Sequence, residues 1–152
     1  MRIAVIGGGP AGFFGAITAA SQLPSAEIVI LEAGDHPLEK VRVSGGGRCN
    51  VTHHCFDPAE LVNNYPRGHR ELRGPFTRFQ PSDTVAWFEQ RGVQLKAEDD
   101  GRMFPVTDNS GTIIECLLKT SRDLGVQLRR NTRVKSVALV GEDSGHRQFE
   151  IE

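Results

Sequence analysis

At 152 residues the chain is long enough for one domain and should bury about 70% of the surface that its unfolded form exposes. Its 18 basic and 19 acidic residues leave a net charge of −1, which excludes a whole-surface electrostatic grip on nucleic acid or on an anionic membrane. No apolar run approaches the roughly 20 residues of a membrane span, and three cysteines without a C-x-x-C pair supply neither a dithiol centre nor a zinc site.

Met1 leads directly into a predicted strand with no charged leader before it, and the chain is read as cytoplasmic. Residues 2–6 are that strand. The turn Gly7-Gly8-Gly9-Pro10-Ala11-Gly12 follows, with glycines 7, 9 and 12 fitting G-x-G-x-x-G. Residues 11–23 read as a helix broken by Pro24 and Ser25, and residues 28–31 as a second strand ending at Glu32. Glycine-rich turns are common, so the motif alone says little. Here strand, turn, helix and strand are followed by an acid twenty residues after Gly12 (32 − 12 = 20). Gly7 allows the tight turn, Gly9 lets the backbone approach a pyrophosphate, and Gly12 lets the helix pack closely on the strand. The helix N-terminus then faces the phosphates. A carboxylate at position 32 accepts from ribose hydroxyls and repels a 2′-phosphate. The ligand expected is FAD or NAD rather than NADP.

After the loop at residues 33–37, residues 38–43 are short and mixed and read as extended. Then comes Ser44-Gly45-Gly46-Gly47-Arg48-Cys49-Asn50-Val51-Thr52. Three consecutive glycines are costly to order, so a stable fold needs a reason to keep them. Such a turn can point successive N–H groups inward as an anion nest, with Arg48 adding a charge-assisted bond to phosphate. The alternative is a flexible linker.

The first glycine turn, Glu32 and the stretch from Ser44 to Thr52 together resemble the BaiN-like (aminoacetone-oxidase-type, YhiN-like) flavoprotein family. Tyr65-Pro66-Arg67-Gly68 and Gly101-Arg102-Met103-Phe104-Pro105 fall where that family carries similar stretches. The resemblance implies FAD in a glutathione-reductase-like domain of an oxidoreductase. On that basis the cofactor-binding residues expected are Gly7, Gly9, Pro10, Ala11, Gly12, Glu32, Ala33, Lys40, Ser44, Gly45, Gly46, Gly47, Arg48, Cys49, Asn50 and Thr52. His53 departs from the asparagine that the family pattern carries after Thr52.

Asp57, Pro58 and Glu60 start a helix running to about residue 64, as N-cap, N1 and N3. Residues 65–78 carry Arg67, Arg70, Arg73 and Arg78 among aromatics; their spacing keeps to no single face and reads as solvated surface rather than a nucleic-acid patch. Pro81-Ser82-Asp83 starts a helix with Val85, Phe88 and Trp87 inward, closed by Gly92. Residues 93–98 and 102–104 read as strands joined by Asp99-Asp100-Gly101, where the carboxylates serve a turn rather than catalysis or a metal. Ser110 or Asp108 caps a helix carrying Ile113, Ile114, Leu117 and Leu118, closed by Gly125. Residues 126–129 form a third parallel strand. Residues 133–140 and 148–152 pair around the turn at 141–145 as a small antiparallel meander. Cys49, beside Arg48, is the one candidate nucleophile and reads as a packing residue. No histidine pair has metal-ligand or triad spacing.

The fold expected is α/β, a Rossmann-like FAD/NAD(P)-binding domain with a parallel sheet, helices and a small meander. Its dinucleotide core spans residues 1–52 and 106–152, and an irregular segment spans 53–105. Since the chain ends after a strand, it reads as the N-terminal part of a larger, incomplete FAD-binding domain, completed by a C-terminal part that meets an unknown small-molecule substrate. No catalytic residue, metal, nucleic acid or membrane is assigned. An NAD-binding enzyme domain and a non-catalytic dinucleotide-sensing module are the other two readings.

Overall fold

The computed structural model describes residues 1–143 and 146–152. In chain order the elements are β1 (Arg2–Ile6), α1 (Pro10–Gln22), β2 (Glu27–Leu31), α2 (Glu39–Val43), β3 (Thr52–His53), α3 (Pro58–Leu61) and α4 (His69–Phe76). There follow α5 (Pro81–Glu89), β4 (Leu95–Ala97), β5 (Arg102–Pro105), α6 (Ser110–Asp123), β6 (Gln127–Arg129), β7 (Val137–Asp143) and β8 (His146–Ile151). They form two compact units, one of residues 1–39 with 117–152 and one of residues 40–116.

The first unit holds the parallel sheet, in the order β1-β2-β6, with Val5 beside Ile30 and Leu31 beside Arg129. Buried Phe13, Ala16, Ile17 and Ala20 fall at i, i+3, i+4 and i+7 along α1, one stripe of a 3.6-residue period. Ile28 and Ile30 are buried at period two along β2. Fully burying a side chain the size of Phe13 or Ile17 contributes about 2–3 kcal/mol each. Helix α1 stops where Pro24 would lack a donor, the Leu23 N–H bonding Ala19 O at 2.8 Å. The third parallel strand is therefore present. Strands β7 and β8 form a separate antiparallel ribbon. This ribbon has two strands, and pairing runs through Gly141, Glu142 and Asp143 into the segment read as a turn; Ser144 and Gly145 of that turn lie outside the described residues.

The second unit is built on an antiparallel sheet in the order β3-β5-β4, with buried Met103, Phe104 and Pro105 on its central strand. The β4–β5 turn is the expected one, Gly101 adopting φ 82°. Helix α3 starts as expected, Asp57 Oδ1 accepting the Ala59 N–H at 2.7 Å. Helix α5 closes through Gly92 at φ 80° with Phe88 buried, while Val85 and Trp87 are half-buried.

Three local readings are corrected. Residues 39–43 are a helical turn rather than extended, because Leu38 turns at φ 61° with its side chain buried and Glu39 then sits at the favourable N-terminal end. Helix α4 forms among the arginines at 69–76, entered through Gly68 at φ 78°. The acceptor at the head of α6 is neither Asp108 nor Ser110 but Asn109, whose Oδ1 takes the Gly111 N–H at 2.8 Å. Ser110 instead donates its hydroxyl to Arg42 O at 3.0 Å. Among the described residues no helix is long and apolar enough to cross a membrane.

Candidate dinucleotide site

The first cluster is the turn between β1 and α1. The Gly7 N–H donates to Leu31 O at 2.8 Å, carrying the sheet pairing one residue past the strand. A Cβ on Gly12 would lie 2.0 Å from Gly7 O, so α1 reaches the turn only with glycine there. Gly9 is different. It has an ordinary φ of −85°, and a Cβ there would meet nothing within 4 Å. The protein's own packing gives no reason for glycine at that position. Helix α1 begins without a side-chain cap, Pro10 occupying its first turn and the Phe13 N–H making the first helical bond to Gly9 O at 3.0 Å. The positive end of the helix, at Ala11 and Gly12, is thus left for an anion.

Glu32, at the end of β2, has a role that the sequence did not disclose. Its Oε2 accepts the Gly8 N–H at 2.6 Å and its Oε1 the Gly34 N–H at 2.7 Å. The carboxylate braces the glycine turn against the sheet. Those bonds, Gly34 first and then Gly8, hold its pKa below the ordinary 4.5 against the opposing effect of burial, with Arg133 adding attraction. Each oxygen keeps a further lone pair for a hydroxyl. Ala33, next in line, is exposed.

The second cluster lies wholly in the unit of residues 40–116. Gly45, Gly46 and Gly47 take φ values of 56°, 68° and 87°, three left-handed residues in succession. A Cβ on Gly45 would strike Phe104 at 2.7 Å and Asn50 N at 2.9 Å, whereas one on Gly46 would meet nothing within 4 Å. The loop closes through the Cys49 N–H on Ser44 O at 3.0 Å. Lys40 and Asn50 are exposed, and Thr52 enters β3 opposite Met103.

Arg48 is engaged by the protein itself. Its Nη1 donates to Glu98 Oε1 at 2.5 Å, it lies 3.6 Å from Asp108 Oδ1, and its guanidinium carbon sits 4.0 Å from the Phe104 ring centroid. The Glu98 hydrogen bond raises its pKa further. Asp108 is shared with Lys96. These partners stand 50 and 60 residues along the chain (98 − 48 and 108 − 48), and no sequence spacing points to them. Cys49 is buried at φ 65°, and burial pushes its thiol pKa up, as befits a packing residue rather than a thiolate. Asp100 accepts the Arg102 backbone N–H and the Arg102 Nε, a turn staple that keeps its pKa low.

The matches to known proteins bear on this geometry. A family model, the HI0933-like protein Rossmann domain, matches residues 1–151. The 3-dehydro-bile acid delta(4,6)-reductase of Clostridium scindens is 29% identical over 138 residues, covering 91% of this chain and 33% of that protein. The ribosomal RNA dihydrouridine synthase of Escherichia coli is 27% identical over 134 residues, covering 88% of this chain and 32% of that protein. The crystal structure of THI4 from Thermovibrio ammonificans superposes with a TM-score of 0.61 at 11% identity, covering 97% of this chain and 45% of that one, a likeness of fold. The chain spans about a third of the length of the curated relatives it matches. It belongs to the HI0933-like Rossmann domain family, whose members are FAD-binding flavoproteins.

Proposed function

We propose that this chain is the FAD-holding portion of a flavin-dependent oxidoreductase, and that its two glycine clusters are the residues that hold the cofactor. Gly9 carries the reading. An ordinary φ and open space around a missing Cβ mean that the fold does not need glycine there, whereas close approach of a pyrophosphate does. Gly7, Pro10, Ala11 and Gly12 shape the turn and the helix end that receive the phosphates. Glu32 offers its remaining lone pairs to ribose hydroxyls and, as an anion, repels a 2′-phosphate. Ala33, Lys40 and the stretch from Ser44 to Thr52 complete the set, Gly46 leaving room for a ligand as Gly9 does.

Bound FAD supplies the hydride and electron chemistry, and the protein contributes binding, orientation and electrostatics. The relatives' names differ in what they act on, a bile acid in one and ribosomal RNA in the other, so the family does not carry a substrate across. We assign that choice to a C-terminal part of the protein working beside this one. The location proposed is the cytoplasm; among the described residues no two cysteines are joined in a disulfide.

The test compares Gly9→Val with wild type in the full-length protein, by FAD calorimetry and circular dichroism. The expected result is an unchanged fold with FAD affinity down at least a hundredfold, since the added side chain occupies the phosphate's approach. A folded variant that keeps wild-type affinity would remove the turn from the FAD site. Tighter binding of NAD than of FAD by the wild type would move the chain to the nicotinamide reading.

A further inference from the structure

The turn of residues 44–47 does not fix its own shape. Glycine takes positive and negative φ at similar cost, so three left-handed glycines in a row exchange with other forms unless something outside holds them. Its internal bonds are local: Ser44 O accepts the Arg48 and Cys49 N–H groups, and the Ser44 hydroxyl donates to Val41 O at 3.1 Å. The polar hold on the rest of the unit runs through the Arg48 side chain.

What Arg48 meets is the β4–β5 hairpin. Lys96 and Phe104 are paired across it and Arg102 stands two residues before Phe104, so these three side chains share one face. Phe104 lies on that charged face and is nevertheless fully buried, because the glycine turn covers it. A Cβ on Gly45 would strike its ring, and the Arg48 guanidinium lies over it. Glu98, just after β4, takes the fork of Arg48, with Nη1 at 2.5 Å from Oε1 and Nη2 at 3.5 Å from Oε2. Asp108, after β5, faces the same guanidinium at 3.6 Å and is itself held by Lys96. Both ends of the hairpin thus close on one arginine of the turn.

Exposure decides what this arrangement can do. The side chains of Arg48, Glu98 and Asp108 are 33%, 31% and 43% exposed, so no single pair among them stabilises the whole fold by much. Ordering one loop needs less. Binding a ligand to an unfixed loop costs the loop's ordering entropy, and a clamp that orders it beforehand removes that cost.

We propose that Glu98 and Asp108 are positioning residues of the cofactor site. Acting through Arg48, they hold the turn of residues 44–47 in the left-handed form that leaves Gly46 open to FAD. That FAD is the ligand rests on the reading above; that the two carboxylates order the turn does not.

The test uses Glu98→Gln and Asp108→Asn in the full-length protein, changes that keep shape and remove charge. Asparagine also tolerates the left-handed φ of 51° at position 108. Each change should weaken FAD binding about three- to tenfold in calorimetry. Neither should weaken it further in an Arg48→Ala background, because both act through that guanidinium. In the FAD-free protein, hydrogen exchange at residues 45–49 should speed up while the urea midpoint moves little. Unchanged FAD affinity in both folded variants would overturn the proposal, as would losses that add in full to that of Arg48→Ala. A lowered urea midpoint, with exchange faster throughout residues 40–116 and affinity of the folded protein unchanged, would reduce the clamp to ordinary stability and overturn it too. If the wild type takes up no FAD, the cofactor reading fails separately. Exchange at residues 45–49 then decides the clamp alone, and rates unchanged by both substitutions would sink it.

Discussion

The carboxylate of Glu32 accepts the Gly8 and Gly34 N–H groups with one oxygen each, so the residue expected to read a ribose also secures the turn beneath the phosphates. Losing it affects stability and ligand affinity together. Glu32→Ala should cost about 1–2 kcal/mol of stability at pH 7, a modest figure because the Gly34 bond is exposed and screened by solvent. The pH dependence follows from the direction of the shift. The folded pKa lies below the ordinary 4.5, so in that window the native state binds fewer protons than the unfolded chain. The carboxylate's contribution is therefore complete above pH 4.5 and is lost as pH falls through the folded value. Urea midpoints of wild type and Glu32→Ala measured at intervals between pH 3 and pH 7 should converge at the acid end. A gap that stays constant, or widens on acidification, would mean that the two backbone bonds do not stabilise the fold.

Among the elements, what was legible and what was not divides by physical signal. β1 and β2 were legible as short apolar runs on either side of a helix, β2 burying Ile28 and Ile30 and β1 half-burying Ile3 and Val5, and the glycine turn between β1 and α1 has its own chemistry. Helix α4 buries none of its residues and contains Pro75, so neither an apolar stripe nor an uninterrupted run of helix formers marks it. The two-residue strand β3 is too short for any alternation to register. The glycine stretch was legible as a turn that could form an anion nest, but neither its three left-handed residues nor its fastening was. Arg48 ties that loop to Glu98 beside β4 and to Phe104 on β5, contacts that only the folded chain creates. This raises a sharper question than whether Arg48 matters. Arg48→Ala and Glu98→Gln both break the fastening, yet only the first removes the cation. If Arg48 also reaches a phosphate, FAD affinity should fall about tenfold further in Arg48→Ala than in Glu98→Gln, the worth of one charge-assisted bond. Equal losses in titrations of the two folded variants would confine Arg48 to holding the loop.

At the scale of the whole molecule, two surfaces of the first unit stand open to association. In the sheet β1-β2-β6, β1 is an edge strand, and Ile6 at its end is 54% exposed. An exposed edge carries unpaired N–H and C=O groups that template pairing with another strand. The β7–β8 ribbon adds an apolar face, because Val137 opposes Ile151 and Leu139 opposes Phe149, and residues opposite or two apart share one side. Leu139 and Phe149 are 58% and 57% exposed. Each such side chain recovers about 25 cal/mol per Å² of apolar surface on being covered, so four on one face form a strong contact. The 152-residue polypeptide studied alone should therefore self-associate at micromolar concentration in light scattering. Leu139→Lys with Phe149→Lys should return most of it to monomer while leaving the helical circular dichroism unchanged, since neither side chain lies in the core. Two other results separate the surfaces. Association that survives both lysines but yields to a charge at Ile6 places the contact on the β1 edge. A wild-type polypeptide that stays monomeric, with sharp cooperative melting, would show that neither surface is sticky enough to drive association.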